Sequence, residues 1–157
     1  MLLVVDVQHG FVSESTEHAL PNVKRCVHAF DTVVATRFVT GSSTQFRELV
    51  GWEGIDDSEI LPFVANGATE RVEKSTYSAV NSDWTQSADD EPIYIAGFET
   101  DACVLATAFD LFDAGRHPIV VRDACGTSSS GRAHEDALSI LRRNIGSEQV
   151  VKTETIT

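Results

Sequence analysis

What most constrains this chain is a repeated change of hydrophobic period. Stretches of strand length recur along it: "LLVVD" (2–6), "DTVVATRFV" (31–39), "TERVEKS" (69–75), "PIYIAG" (92–97), "HPIVVRDA" (117–124) and "EQVVKT" (148–153). Most are continuously apolar, the pattern a strand needs when both its faces are buried. Helical spacing fills the gaps. Near 21–30, Pro21 suits a first turn and Val23, Cys26, Val27 and Phe30 share a face. A short helix is expected over 43–52, with Ser43 as cap and Gly51 as stop, and another around 81–88. The stretch between them reads as loop down to the turn dipeptide Asn66-Gly67. A helix over 100–114 stops at Gly115. The last, over 132–145, carries Ala133, Ala137, Leu138, Leu141 and Ile145 on one face, with Arg142 and Arg143 complementing its dipole before Gly146. Alternating β and α units predict a parallel sheet covered on both faces. The expected fold is an α/β three-layer sandwich, one domain spanning 1–157.

Charge and cysteines narrow the function. The 157 residues carry 24 acidic against 12 basic side chains, a formal charge of −12. Such a surface repels phosphate backbones, so no nucleic-acid partner is expected. It is also compatible with a salt-rich cytoplasm. No apolar run approaches the ~18 residues a membrane helix needs, and "MLLVVDVQHGF" has no basic n-region or cleavage site. The expectation is a cytoplasmic protein away from membranes. Cys26, Cys103 and Cys125 are an odd count without paired spacing, which argues against a disulfide framework and a zinc module. The histidines His9, His18, His28, His117 and His134 show no ligand spacing either.

Open α/β sheets bind ligands at the carboxyl ends of their strands, where the strand order switches. With six strands in the order 3-2-1-4-5-6, the first and fourth are neighbours at that point. Asp6 closes the first strand, Lys74 follows the third and must reach over from its loop, and Cys103 opens the helix after the fourth. Singly, each has an ordinary structural reading: a turn-capping aspartate, a solvated lysine, a small core thiol. Together they put a carboxylate, an amine and a thiol at the ligand-binding edge. With Thr100 as helix cap, Cys103 takes the third helical position, where free N–H groups and the dipole would lower its pKa.

These segments resemble the isochorismatase-like cysteine hydrolases, which include nicotinamidases, carbamoylsarcosine amidases and ureidoacrylate-type amidohydrolases. The resemblance rests on "LLVVDVQHGF" around Asp6, "VEKSTYSAV" around Lys74, "IAGFETDACVLATAFDLFDAG" around Cys103 and "VVRDACGTSSSGRAHEDALSIL". It implies the Rossmann-type isochorismatase-like fold and a catalytic triad that needs no cofactor. Cys103 would attack a carbonyl carbon, Asp6 would take the thiol proton, and Lys74 would stabilise the thiolate and orient Asp6. The resemblance further implies a cis peptide between Phe98 and Glu99, with the Glu99 and Cys103 N–H groups as oxyanion hole. The expected reaction is hydrolysis of a C–N bond in a small molecule through a thioester.

The sequence departs from the family in two respects. The metal site of nicotinamidases uses D-x-H after the second strand, where this chain has "ATRFVTGSSTQF", so no metal is expected. The chain is also short for the family, so a homo-oligomer, dimer or tetramer, is expected to complete the pocket; a monomer by light scattering would count against that. Pocket candidates are Gln8, Phe11, Trp52, Tyr77 and Ser78, with Arg37 a possible partner for a substrate carboxylate and His9 a possible substrate contact. Cys26 and Cys125 read as structural. Two rivals stand beside the hydrolase: a redox-active thiol protein, and a catalytically silent binding or assembly module.

Overall fold

The computed structural model of the protein describes residues 1–41, 45–55, 57–80 and 91–156. The Ser43 cap and the helix expected around 81–88 lie outside them. Among the described residues run β1 (Leu2–Val5), α1 (Leu20–Ala29), β2 (Val33–Phe38), α2 (Pro62–Gly67), β3 (Glu70–Lys74) and β4 (Ile93–Phe98). A π-helical turn (Thr100–Val104) leads into α3 (Leu105–Asp113), and β5 (Pro118–Gly126), α4 (Gly131–Asn144) and β6 (Val150–Val151) follow. The six strands form one sheet in the order β3-β2-β1-β4-β5-β6, all pairs parallel, as the alternation predicts.

The continuous apolar runs have the cause inferred from sequence. In β1 every residue is buried, Leu2 and Val4 facing one layer, Leu3 and Val5 the other. On the first face, Val23, Cys26 and Val27 of α1 and Val64 of α2 cover the sheet. On the second, Ala108 and Leu111 of α3 and Leu138 and Leu141 of α4 do so. No helix among the described residues is long and apolar enough to cross a membrane.

Boundaries moved where local chemistry outweighed pattern. The stretch read as loop holds α2, whose Pro62 takes the first turn with its fixed φ and missing N–H. The helix expected over 43–52 is a π-helical turn, Phe46–Val50, ended by Gly51 at φ 71°. Ser130 caps α4 by accepting the Ala133 N–H at 3.1 Å. The fifth strand runs on through Cys125 and Gly126, because these pair with Gly97 and Phe98 of β4.

Candidate active site

Asp6 follows the last residue of β1 and turns sharply, with φ 52°, the one positive value outside glycine among the described residues. A left-handed aspartate costs roughly 1–2 kcal/mol. Two hydrogen bonds across to β2 hold it: the Asp6 N–H donates to Thr36 Oγ1 at 3.1 Å, and that hydroxyl donates to Asp6 Oδ1 at 2.6 Å. Lys74, the last residue of β3, brings its Nζ to 2.7 Å from Asp6 Oδ2 and 3.4 Å from Cys103 Sγ. The ammonium also donates to the Thr76 and Tyr77 carbonyls, at 2.8 and 3.1 Å. The contact to Asp6 Oδ2 is the shortest of the four, so the buried carboxylate is paired with the ammonium at charge-assisted hydrogen-bond distance. The fold thus assembles Asp6, Lys74 and Cys103 from three strand ends.

The Cys103 thiol does not behave as its place at a helix start suggests. Burial pushes its pKa up, the Asp6 charge adds to that, and Lys74 only partly opposes them. Only 4% of the residue is exposed, so the cost of desolvating a thiolate outweighs the dipole of a short π-helical turn. Together these influences favour the thiol over the thiolate. Thr100 is not the cap either. It is buried inside the turn, with Oγ1 2.9 Å from His134 Nδ1 of α4. The Glu99 carbonyl accepts the N–H groups of Ala102 and Val104, both at 3.1 Å, on either side of Cys103.

The Phe98–Glu99 bond is trans, as are all the described peptide bonds. A cis bond before a residue other than proline costs ~3–4 kcal/mol. Here the chain makes its bend with Gly97 at φ 127° and Glu99 at φ −56°, ψ 111°. The Glu99 side chain is held by two hydrogen bonds, accepting the Thr127 hydroxyl at 2.7 Å and the Ser128 N–H at 2.9 Å.

Over Cys103 lies a cavity of about 200 Å³. Its floor is Cys103, Ala102 and Glu99. Its walls are largely aromatic: Phe11, Phe38, Phe46, Trp52 and Tyr77, with Val50 and Ser128 at the sides. Phe46 meets Trp52 and Tyr77 edge-on at 5.7 and 5.2 Å, and Phe11 stacks on Trp52 at 6.0 Å. Of the pocket candidates, Phe11, Trp52 and Tyr77 line this cavity.

Gln8 and Ser78 do not line it. Gln8 is fully buried and clamps loop to strand, its Nε2 donating to the Phe38 and Ser58 carbonyls and its Oε1 accepting the Phe38 N–H. Ser78 Oγ accepts the Val80 N–H, and the residue lines a separate hollow with Val72, Lys74 and Ala79. Arg37 does not line the cavity either and is paired with Glu59 at 3.1 Å and Glu73 at 2.7 Å. His9 lines a separate surface hollow with Gly10 and Ile55. Cys26 and Cys125 are buried and unbonded to other cysteines.

A family model, the isochorismatase domain, matches residues 1–154. The chain belongs to the isochorismatase family. It is 30% identical to nicotinamidase 3 of Arabidopsis thaliana over 154 residues, covering 87% of this chain and 77% of that protein. It is 33% identical over 87 residues to isochorismatase domain-containing protein 2 of Xenopus laevis, covering 53% of this chain and 40% of that one. A nicotinamidase/pyrazinamidase structure from Bacillus subtilis superimposes with a TM-score of 0.78 at 22% identity, over 96% of this chain and 98% of its own. At that identity the likeness speaks for the fold alone.

Among the described residues, no three His, Cys, Asp or Glu side chains converge as ion ligands, and no step below passes through a metal. Sequence reasoning missed Thr36, Phe38, Phe46, Val50 and Ser128. Thr36 had one available signal, a hydroxyl inside an otherwise apolar strand core. Phe38 and Phe46 had none, since an aromatic in a wall reads like an aromatic in a core.

Proposed function

We propose that Cys103 is the nucleophile of a small-molecule amidase and forms a thioester, with Asp6 as proton carrier and Lys74 as the cation between them. The broader statement rests on the family: the chain is a hydrolase acting on amide-type C–N bonds. The observation carrying the finer reading is Lys74 Nζ, 2.7 Å from Asp6 Oδ2 and 3.4 Å from Cys103 Sγ, bridging a buried carboxylate and a buried sulfur.

Because burial favours the thiol, attack and proton transfer are coupled. As Sγ adds to the carbonyl carbon, its proton passes to Asp6 Oδ2, and Lys74 balances the charge. Backbone N–H groups of the turn that carries Cys103 receive the oxyanion; the Glu99 N–H, tied by the resemblance to a cis bond, is given no role because that bond is trans. Asp6 then protonates the leaving nitrogen and the C–N bond breaks, leaving a thioester. Water, giving a proton to Asp6, attacks the thioester; the acid leaves and the proton returns to sulfur.

The substrate's acyl group is small, planar and uncharged. Five aromatic side chains and no basic one line the described cavity, whose single charged lining residue is the acidic Glu99. An anionic acyl group would meet no partner there. The test is ammonia release from benzamide, nicotinamide, pyrazinamide and the anion succinamate, with Cys103→Ala as control. The expected result is turnover of uncharged planar amides, a Cys103→Ala loss of at least about a thousandfold, and an acyl-enzyme mass trapped on Cys103. Hydrolysis that survives in Cys103→Ala would overturn the nucleophile. Preference for succinamate would overturn the substrate class.

A further inference from the structure

Asp6 is held from two sides, and one of the holds lies outside the Asp6, Lys74 and Cys103 trio. Thr36 sits within β2, on the strand next to β1, and is buried. Its hydroxyl accepts the Asp6 N–H at 3.1 Å and gives its one proton to Asp6 Oδ1 at 2.6 Å. The second bond is short and charge-assisted, the stronger kind.

A free carboxylate has two equivalent oxygens, and either can turn toward a neighbour. Tying Oδ1 to Thr36 removes that equivalence. Oδ2 is then the oxygen that faces the Lys74 ammonium at 2.7 Å, on the side of Cys103. The same bond steadies an aspartate whose backbone stands at φ 52°.

We infer that Thr36 is a positioning residue for the proton transfer, assigning Oδ1 to anchorage and Oδ2 to the Cys103 proton. This rests on the reading of Asp6 as the proton acceptor. A purely structural threonine would serve only to satisfy the Asp6 N–H and fill space between the strands. The two roles separate in how the thiol reacts.

The test needs no substrate. Alkylation of Cys103 by iodoacetamide is followed by mass spectrometry from acid to alkaline pH in wild type, Thr36→Val, Thr36→Ser and Asp6→Asn. Removal of the sulfur's proton by a neighbouring carboxylate gives the rate profile an acid limb, below which that acceptor is filled. With Thr36→Val, the limb moves to higher pH, because the ionised carboxylate loses a hydrogen bond, and the rate above it falls roughly tenfold. Thr36→Ser, which restores the hydroxyl without the methyl, returns both to near the wild-type profile. A Thr36→Val profile superimposing on wild type would overturn the inference, and so would a Thr36→Ser profile as impaired as the valine one. Asp6→Asn isolates the underlying reading: if it keeps the acid limb, Asp6 is not the acceptor at all. Should Thr36→Val not fold, Thr36→Ala lacks the same hydroxyl without the added methyl and carries the same comparison.

Discussion

At Lys74 two demands meet, charge balance for a buried carboxylate and reactivity for a buried sulfur. Its side chain is 6% exposed and that of Asp6 fully buried, so the pair sits where an unpartnered charge is costly. Replacing Lys74 with Met leaves Asp6 with no cation beside it. The expected loss of stability is about 3–5 kcal/mol, read as a fall in the urea midpoint. Thiol reactivity falls too, because Lys74 is the group pulling the Cys103 pKa down. The double variant Lys74→Met with Asp6→Asn should recover much of the stability but not the reactivity. If Lys74→Met alone is as stable as wild type, the pair is not buried as described. All three residues were legible from sequence, because each reactive group falls at the end of a recognisable strand or the start of a recognisable helix. The sign of the Cys103 shift was not legible. A helix-start argument counts dipoles, and burial depends on what the rest of the chain lays over the sulfur.

Element by element, the site depends on how tightly β1 and β4 meet. Gly97 pairs with Val5 at φ 127°, and a Cβ there would lie 2.1 Å from the Val5 carbonyl oxygen. Only glycine permits this approach, and it sets the spacing between Asp6 after β1 and the π-helical turn after β4. Gly97→Ala must push the strands apart. The expected cost is about 3 kcal/mol or more, with Cys103 alkylation losing its dependence on Lys74 as the groups separate. A Gly97→Ala protein with an unchanged urea midpoint would show that the strands have slack. The misread elements share a cause. The turn Phe46–Val50 and helix α2 are only five and six residues long, too short for a hydrophobic period to repeat, so their form follows from packing and from single residues such as Pro62 and Gly51.

For the molecule as a whole, the three thiols set an alkaline limit. Burial raises Cys26 from its ordinary 9.0 to about 11, and raises Cys103 and Cys125 further. Below pH 9 these thiols hold their protons in both the folded and the unfolded chain, and the full stability is present. Above it the unfolded chain releases protons that the folded chain keeps. Stability therefore falls as pH rises, by up to about 1.4 kcal/mol per pH unit for each thiol; the Cys26 share levels off near 11. Urea midpoints at pH 8, 9 and 10 should show no thiol-linked slope before 9 and a steepening fall after it, shallower in Cys125→Ala relative to its own pH 8 value. A flat profile through pH 10 would mean that the thiols are not shielded.

By itself the sequence determined the parallel sheet, its two covering layers and the edge at which a carboxylate, an amine and a thiol gather. Those follow from periodicity and from strand ends, which are local properties of the chain. Tertiary structure decided the rest: that Thr36 holds Asp6, that Gln8 and Ser78 lie outside the cavity, that Arg37 is taken by Glu59 and Glu73, and that burial raises the Cys103 pKa. Each of these depends on distances and solvent exclusion between segments far apart in sequence, which no local pattern encodes.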